Sequence, residues 1–233
     1  MLDALIKTKR LPGGEVLLRD VELTAKPGEI VALLGASGTG KTTSLRILLG
    51  LDRDFDGEVR CAAERVGAMF QEPLLLPWCS VAENLRIVAR AGAAMPDIDA
   101  LLRDVGLEGN GALFPAQLSL GMARRAALAR ALAIEPDLLI LDEPFASLDR
   151  GTATSMAACL DGLSRRGVAI VMALHDIDLA TSLATRIVVL AERPAVVVYQ
   201  AELASAADRA AARADLNARF PLVADATAPS VMD

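Results

Sequence analysis

Gly35-Ala36-Ser37-Gly38-Thr39-Gly40-Lys41-Thr42, followed by Thr43, ends an apolar run at 30–34 and opens a segment whose apolar positions recur at helical spacing to about residue 51. Strand, glycine-rich loop and helix form the setting in which the pattern G-x-x-x-x-G-K-[ST] holds a triphosphate. The chemistry dictates the residue types. Small residues let the backbone wrap close to the phosphates, so that successive N–H groups and the positive end of the helix point at them. Lys41 neutralises the β and γ phosphates, and Thr42 offers its hydroxyl to Mg²⁺. With glycine at about 7% of ordinary sequences, a chance match in a chain this long is about a one-in-a-hundred event. The loop points to ATP or another nucleoside triphosphate and is silent about what the energy drives.

Outward from the loop, residues 16–25 and 29–34 read as strands separated by the turn Lys26-Pro27-Gly28. Short strands fit 57–60 and 66–70, and helical spacing marks 81–90, 98–105 and 120–133. Strand and helix then alternate: 138–141 as strand, 152–165 as helix, 168–173 as strand, 177–184 as helix, with strands at 187–190 and 195–198. Such alternation predicts an α/β fold whose mainly parallel sheet is covered by helices. The alanine-rich stretch 202–217 reads as helix and 227–233 as a frayed end. There is no repeat and no linker long enough to separate two domains, so 1–233 reads as one.

Composition narrows the function classes. Hydrophobic residues make up 53% of the chain, enough for a sizeable core and incompatible with disorder. The apolar runs at 30–34, 138–141 and 168–174 are strand-length, short of the roughly 18 to 20 residues that span a bilayer. Residues 1–10 mix charges with short apolar pairs and lack the apolar core of a signal peptide, so the expected location is the cytoplasm. A net charge of −6 with scattered basic residues gives no general attraction to nucleic acid. Cys61, Cys79 and Cys159 have no metal-binding spacing and are expected to stay reduced.

Three further motifs carry candidate chemistry. Leu138-Leu139-Ile140-Leu141-Asp142-Glu143-Pro144 is an apolar strand ending in two acids, which puts Asp142 at the sheet's carboxyl edge, where ligands of open α/β folds bind. Asp142 is placed to hold Mg²⁺ through its water shell, and Glu143 to orient and polarise an attacking water. Alone, such a run is more often just a strand end; beside a P-loop it gains a role. His175, the only histidine, follows the apolar strand 168–173 and would share that edge if the strands are parallel, within reach of the γ phosphate or the attacking water. Leu118-Ser119-Leu120-Gly121-Met122 opens the helix that runs to residue 133, and by composition Ser119 is an ordinary helix cap.

Taken together and in order, the P-loop at 35–43, Gln71 after a strand, the stretch 118–122, Asp142-Glu143, Ser147-Leu148-Asp149 and His175 resemble the ABC transporter ATPases over about residues 13–200. The resemblance implies a P-loop NTPase with a mainly parallel sheet core and a small antiparallel β part near the N-terminus. It adds a helical, signature-bearing subdomain at about 80–133 and a C-terminal helix and tail at about 201–233. It also implies two ATPase subunits, alike or different, that each supply half of two composite ATP sites. Lys41 and Gln71 join Glu143, the catalytic base, and His175, the switch histidine, as catalytic residues. Gln71 also contacts Mg²⁺ with Thr42 and Asp142. Ser119 and Gly121 close on the γ phosphate of the opposite subunit, and Asp149 communicates across the interface. The partners implied are a transmembrane permease, met through about 71–80, and a solute-binding protein, with the ATPase peripheral on the cytoplasmic face of the inner membrane. Phe70-Gln71-Glu72-Pro73, Leu76-Pro77-Trp78, His175-Asp176-Ile177-Asp178 and Arg193-Pro194 resemble the importers of nitrate, sulfonate and taurine.

Two departures from the family pattern stand out. Leu120 occupies the place of a signature glycine, so a bulky side chain enters a helix start that must approach a phosphate. No Phe, Tyr, Trp or His precedes Phe55, and Leu11 stands where the family stacks an aromatic on adenine, which implies weaker ATP affinity and looser discrimination against GTP. These departures keep a binding-only regulatory subunit open as an alternative, beside a non-transport ABC-type switch. A P-loop kinase would need an arginine-rich lid and a second substrate pocket, which nothing in the sequence suggests.

Overall fold

The computed structural model describes residues 1–89, 95–146 and 148–220. Arg90, the last residue of one expected helix, lies outside them, as do Ser147 and the tail from 221 to 233. The runs that read as continuously apolar become strands buried on both faces: β3 (Ile30–Leu34), β6 (Leu138–Asp142) and β7 (Ala169–Ala173) are buried at every position. With β5 (Val66–Met69), β8 (Arg186–Ala191) and β9 (Val196–Glu202) they form a six-stranded sheet in the order β5-β6-β7-β3-β8-β9. The first five strands run parallel, and β9 returns antiparallel along β8. The sequential order of strands and the sheet order differ, so the chain crosses over between neighbours, as parallel pairing requires.

Alternation along each strand divides the core. Ile30, Ala32 and Leu34 face one layer together with Leu139, Leu141, Ile170 and Met172. Val31 and Leu33 face the other with Leu138, Ile140, Val171 and Ala173. The second layer is closed by α1 (Lys41–Leu48) and by a three-stranded antiparallel sheet ordered β2-β1-β4, from β1 (Leu2–Arg10), β2 (Val16–Ala25) and β4 (Asp56–Cys61). The first layer is covered by α2 (Val81–Arg86), α3 (Ile98–Asp104), α4 (Leu120–Leu132), α5 (Arg150–Arg165), α6 (Ile177–Leu183) and α7 (Ala206–Arg219). The α/β class and the mainly parallel sheet are those the sequence indicated.

Differences from the sequence reading have local causes. β1 went unread because Asp3, Lys7 and Lys9 break up its apolar residues, yet Leu2, Ala4 and Ile6 alternate inward and are buried. Lys9 is buried too, its ammonium donating to Asp52 at 2.8 Å and to the Asp54 carbonyl at 2.6 Å. α5 begins at Arg150 rather than at 152 because Asp149 caps it, and α7 begins at Ala206 rather than at 202 because Ser205 and Asp208 form a capping box. Cys61, Cys79 and Cys159 are free thiols. Among the described residues no helix is long and apolar enough to cross a membrane.

Candidate functional site

The loop between β3 and α1 is shaped by backbone conformations that side chains resist. Gly35 has φ 155°, and a Cβ there would lie 2.5 Å from the Leu190 carbonyl oxygen and 2.7 Å from Thr39 Oγ1. Gly40, the residue before α1, has φ 89° and sits so close to β2 that a Cβ would meet Leu18 Cδ2 at 2.7 Å. No side chain caps α1, so its first N–H groups remain available to an anion. Ala36, Ser37, Gly38 and Thr39 form the turn between, closed by Thr39 Oγ1 donating to the Ala36 carbonyl at 2.9 Å. Lys41 opens α1, buried, with Nζ donating to the carbonyls of Gly35 at 2.6 Å and Ala36 at 3.2 Å. Burial pulls its pKa down, while the charges of Glu143 and Asp142 pull the other way. Thr42 is exposed beside it and Thr43 half-buried.

β6 carries the two acids to the same edge. Asp142 pairs with Ala173 across the β6–β7 ladder and is 3% exposed, so burial raises its pKa, opposed by the Thr42 hydroxyl and by Lys41. Hard oxygen donors on Thr42 and Asp142 suit a Mg²⁺ ion. Mg²⁺ bound beside a triphosphate takes waters and phosphate oxygens as its other ligands. Glu143 follows with φ 49°, a left-handed conformation that costs a non-glycine residue on the order of 1–3 kcal/mol. Its N–H donates to the Ala173 carbonyl at 3.1 Å. β7 then delivers His175, half-buried, whose Nδ1 stands 3.8 Å from Glu143 Oε1. That separation is longer than a hydrogen bond, and the contact is an ion pair when His175 is protonated. Facing His175 holds the Glu143 carboxyl below its usual range against the effect of burial, helped by Lys41 and Arg124. Reciprocally, Glu143 raises the His175 pKa.

The remaining candidates lie outside this cluster. Ser119 caps α4, its Oγ accepting from Met122 N at 3.2 Å, and Leu120 and Gly121 form the helix's first turn, with Leu120 52% exposed. Asp149 caps α5, accepting from Thr152 N at 3.0 Å and Thr152 Oγ1 at 2.6 Å. Gln71 is exposed just past β5, the strand paired with β6, and so projects from the same carboxyl edge as Asp142. Lys41, Asp142, Glu143 and His175 thus form one group, while Ser119, Gly121 and Asp149 stand at exposed helix starts. A cleft of about 530 Å³, lined by Arg65, Asp137, Cys159 and Arg166 among others, lies at the opposite edge of the sheet, away from the P-loop.

Sequence reading missed Arg124. It is 7% exposed on α4, donates from Nη1 to the Ala146 carbonyl, and lies near enough to Glu143 to lower its pKa. Its only sequence signal is a charged residue on the buried face of a helix that is otherwise alanine and leucine there.

Comparisons with known proteins identify the family. The profile of the ABC transporter family matches residues 18–146. The aliphatic sulfonates import ATP-binding protein SsuB 2 of Burkholderia lata is 44% identical over 196 residues, 80% of this chain and 72% of that one. The protein SsuB 1 of the same description from Xanthomonas axonopodis pv. citri is 42% identical over 229 residues, 91% of each chain. Among solved structures, a dimeric post-hydrolysis ATP-binding cassette bound to ADP and phosphate superposes with a TM-score of 0.77 at 28% identity, covering 88% of this chain and all of that one. The chain therefore belongs to the ABC transporter family, as an ATP-binding and ATP-hydrolysing subunit.

Proposed function

We propose that this subunit energises the import of a small solute, of the sulfonate class named for its relatives, through a membrane permease it meets by residues 71–80. It works as one ATP-binding domain, with the helical stretch at about 80–133 presenting Ser119 and Gly121 to a second copy or a related subunit. A solute-binding protein completes the transporter, and the ATPase lies peripherally on the cytoplasmic face of the inner membrane. The N–H groups of residues 38–42 and the Lys41 ammonium bind the triphosphate, and Ser119 and Gly121 of the other subunit close on its γ phosphate, so that binding draws two subunits together head to tail. Thr42, Asp142 and Gln71 would hold Mg²⁺, which neutralises phosphate charge when bound. Asp149 would relay the state of one site across the interface.

Glu143 and His175 carry the hydrolytic step. Phosphoryl transfer needs an oriented nucleophile and charge stabilisation more than early proton removal. A carboxylate kept ionised by His175 and Lys41 is suited to orient and polarise a water, with His175 positioned to contact the γ phosphate and hold the Glu143 side chain. The observation that carries this reading is the 3.8 Å contact between His175 Nδ1 and Glu143 Oε1 at the edge that Lys41 shares.

Steady-state ATP hydrolysis by the purified chain and by Glu143→Gln, with size-exclusion chromatography in ATP and Mg²⁺, tests it. Wild type should hydrolyse, and the variant should lose turnover and accumulate as an ATP-held dimer. A variant that still turns over at the wild-type rate removes Glu143 from the mechanism. A wild type that binds ATP without hydrolysing or dimerising, even with its permease, turns the reading to a binding-only subunit.

A further inference from the structure

We propose that Arg124 is a positioning residue for hydrolysis: from α4 it clamps the turn at 143–146 and so fixes where the Glu143 carboxylate stands. This inference rests on the role given to Glu143 above. The turn is closed from within by Ala146 N donating to the Glu143 carbonyl at 3.2 Å, and from outside by Arg124 Nη1 donating to the Ala146 carbonyl. Ala146 is thus held through both its N–H and its carbonyl. Glu143, at the head of the turn, keeps φ 49°. A strained conformation persists only where its surroundings over-determine it. Here the restraints are three: the Glu143 N–H on the Ala173 carbonyl at 3.1 Å, the Glu143 carbonyl accepting from Ala146 N at 3.2 Å, and the Arg124 clamp three residues on.

The cation itself is unusual in its setting. Arg124 is almost wholly buried, and its Nε is a buried donor with no hydrogen-bond partner among the described residues. A buried cation is costly to keep, which argues that the side chain does something a neutral residue could not. Arg124 also stands five residues after Ser119 on the same helix. The helix start that reaches the other subunit's nucleotide and the turn that aims this chain's own Glu143 are therefore tied to one rigid element. The Arg124 side chain bonds to the Ala146 carbonyl and not to the P-loop, so nucleotide loading should be independent of the clamp.

Three variants in one assay separate the possibilities. Arg124→Met keeps volume and removes the donors. Its kcat should fall by about ten- to a hundred-fold, the scale of a small misplacement of a catalytic group, with KM for ATP within about two-fold of wild type. Arg124→Lys, which restores one cationic donor, should recover part of the turnover. Hydrogen exchange at the Ala146 amide reads the turn without any hydrolysis: faster in Arg124→Met, slowed again in Arg124→Lys. The proposal is overturned if Arg124→Met retains wild-type kcat, if KM rises in step with the loss, or if Ala146 exchange is unchanged. Glu143→Gln, run alongside, keeps the two readings apart. Loss of turnover there with a fully active Arg124→Met sinks the clamp alone, whereas wild-type turnover in Glu143→Gln sinks the reading it rests on.

Discussion

Leu11 is where one side chain should set nucleotide affinity. It lies in the turn between β1 and β2, its N–H donating to the Glu15 carbonyl and its own carbonyl accepting from Gly14, both at 2.8 Å, and it is 39% exposed. β2 packs against the P-loop at Gly40 through Leu17 and Leu18, and the turn that carries Leu11 leads directly into that part of the strand. An aliphatic side chain offers a base dispersion and little else, whereas an aromatic ring adds stacking worth about 1–3 kcal/mol. Leu11→Tyr should therefore tighten ATP binding by roughly five-fold or more and widen the gap between ATP and GTP. Isothermal titration with both nucleotides checks this, and equal affinities in the two proteins would show that the base is held elsewhere.

At the scale of elements, α4 is a helix with two purposes, and its start is where they conflict. The capping bond from Ser119 makes a regular helix start, but Leu120 stands exposed in the first turn that is proposed to meet a phosphate. Glycine in a helix interior costs about 1 kcal/mol relative to alanine, and less at the first position, where the backbone is only half constrained. Leu120→Gly should lower the melting temperature by no more than a few degrees and raise kcat and the yield of ATP-held dimer several-fold. Slower turnover would mean that Leu120 packs on the other subunit rather than obstructing it. Elements also show how far the sequence could be read. β3, β6 and β7 were legible because both their faces are buried, so their apolar runs are unbroken. β1 was not, because it buries one face only and spends a lysine on an internal ion pair that looks from sequence like a solvated charge. The P-loop and the Asp142-Glu143 edge could be read since local spacing encodes them. The clamp by Arg124 could not, since its acceptor lies 22 residues on and is a backbone carbonyl, which no residue type advertises.

For the whole molecule, the question is what keeps the small antiparallel sheet seated on the large one. Part of the answer is apolar burial in the shared layer, and part is Arg186. From β8 its Nε meets Glu29 Oε1 at 2.7 Å, while Nη2 donates to the Thr24 carbonyl and to Thr24 Oγ1 at 3.1 Å, so one buried side chain links β2, the head of β3 and β8. Glu29 Oε2 also accepts from Lys26 N at 2.9 Å, pinning the turn between β2 and β3. Burial alone would push the Glu29 pKa up, but the hydrogen bonds from Arg186 and Lys26 N outweigh it and hold the carboxyl below its ordinary 4.5. A folded-state pKa below the unfolded one means that the ionised carboxylate adds stability above about pH 4.5, which is lost as the pH falls through the folded value. Glu29→Gln leaves a buried guanidinium without its counter-charge and should cost about 3 kcal/mol at pH 7. Because wild type forfeits the same contribution on protonation, the gap between the two proteins should narrow as the pH is lowered from 5 toward 3. Urea unfolding of both at several pH values measures it. A gap that stays constant with pH would mean that Arg186 joins the sheets through Thr24 and that the charge on Glu29 is incidental.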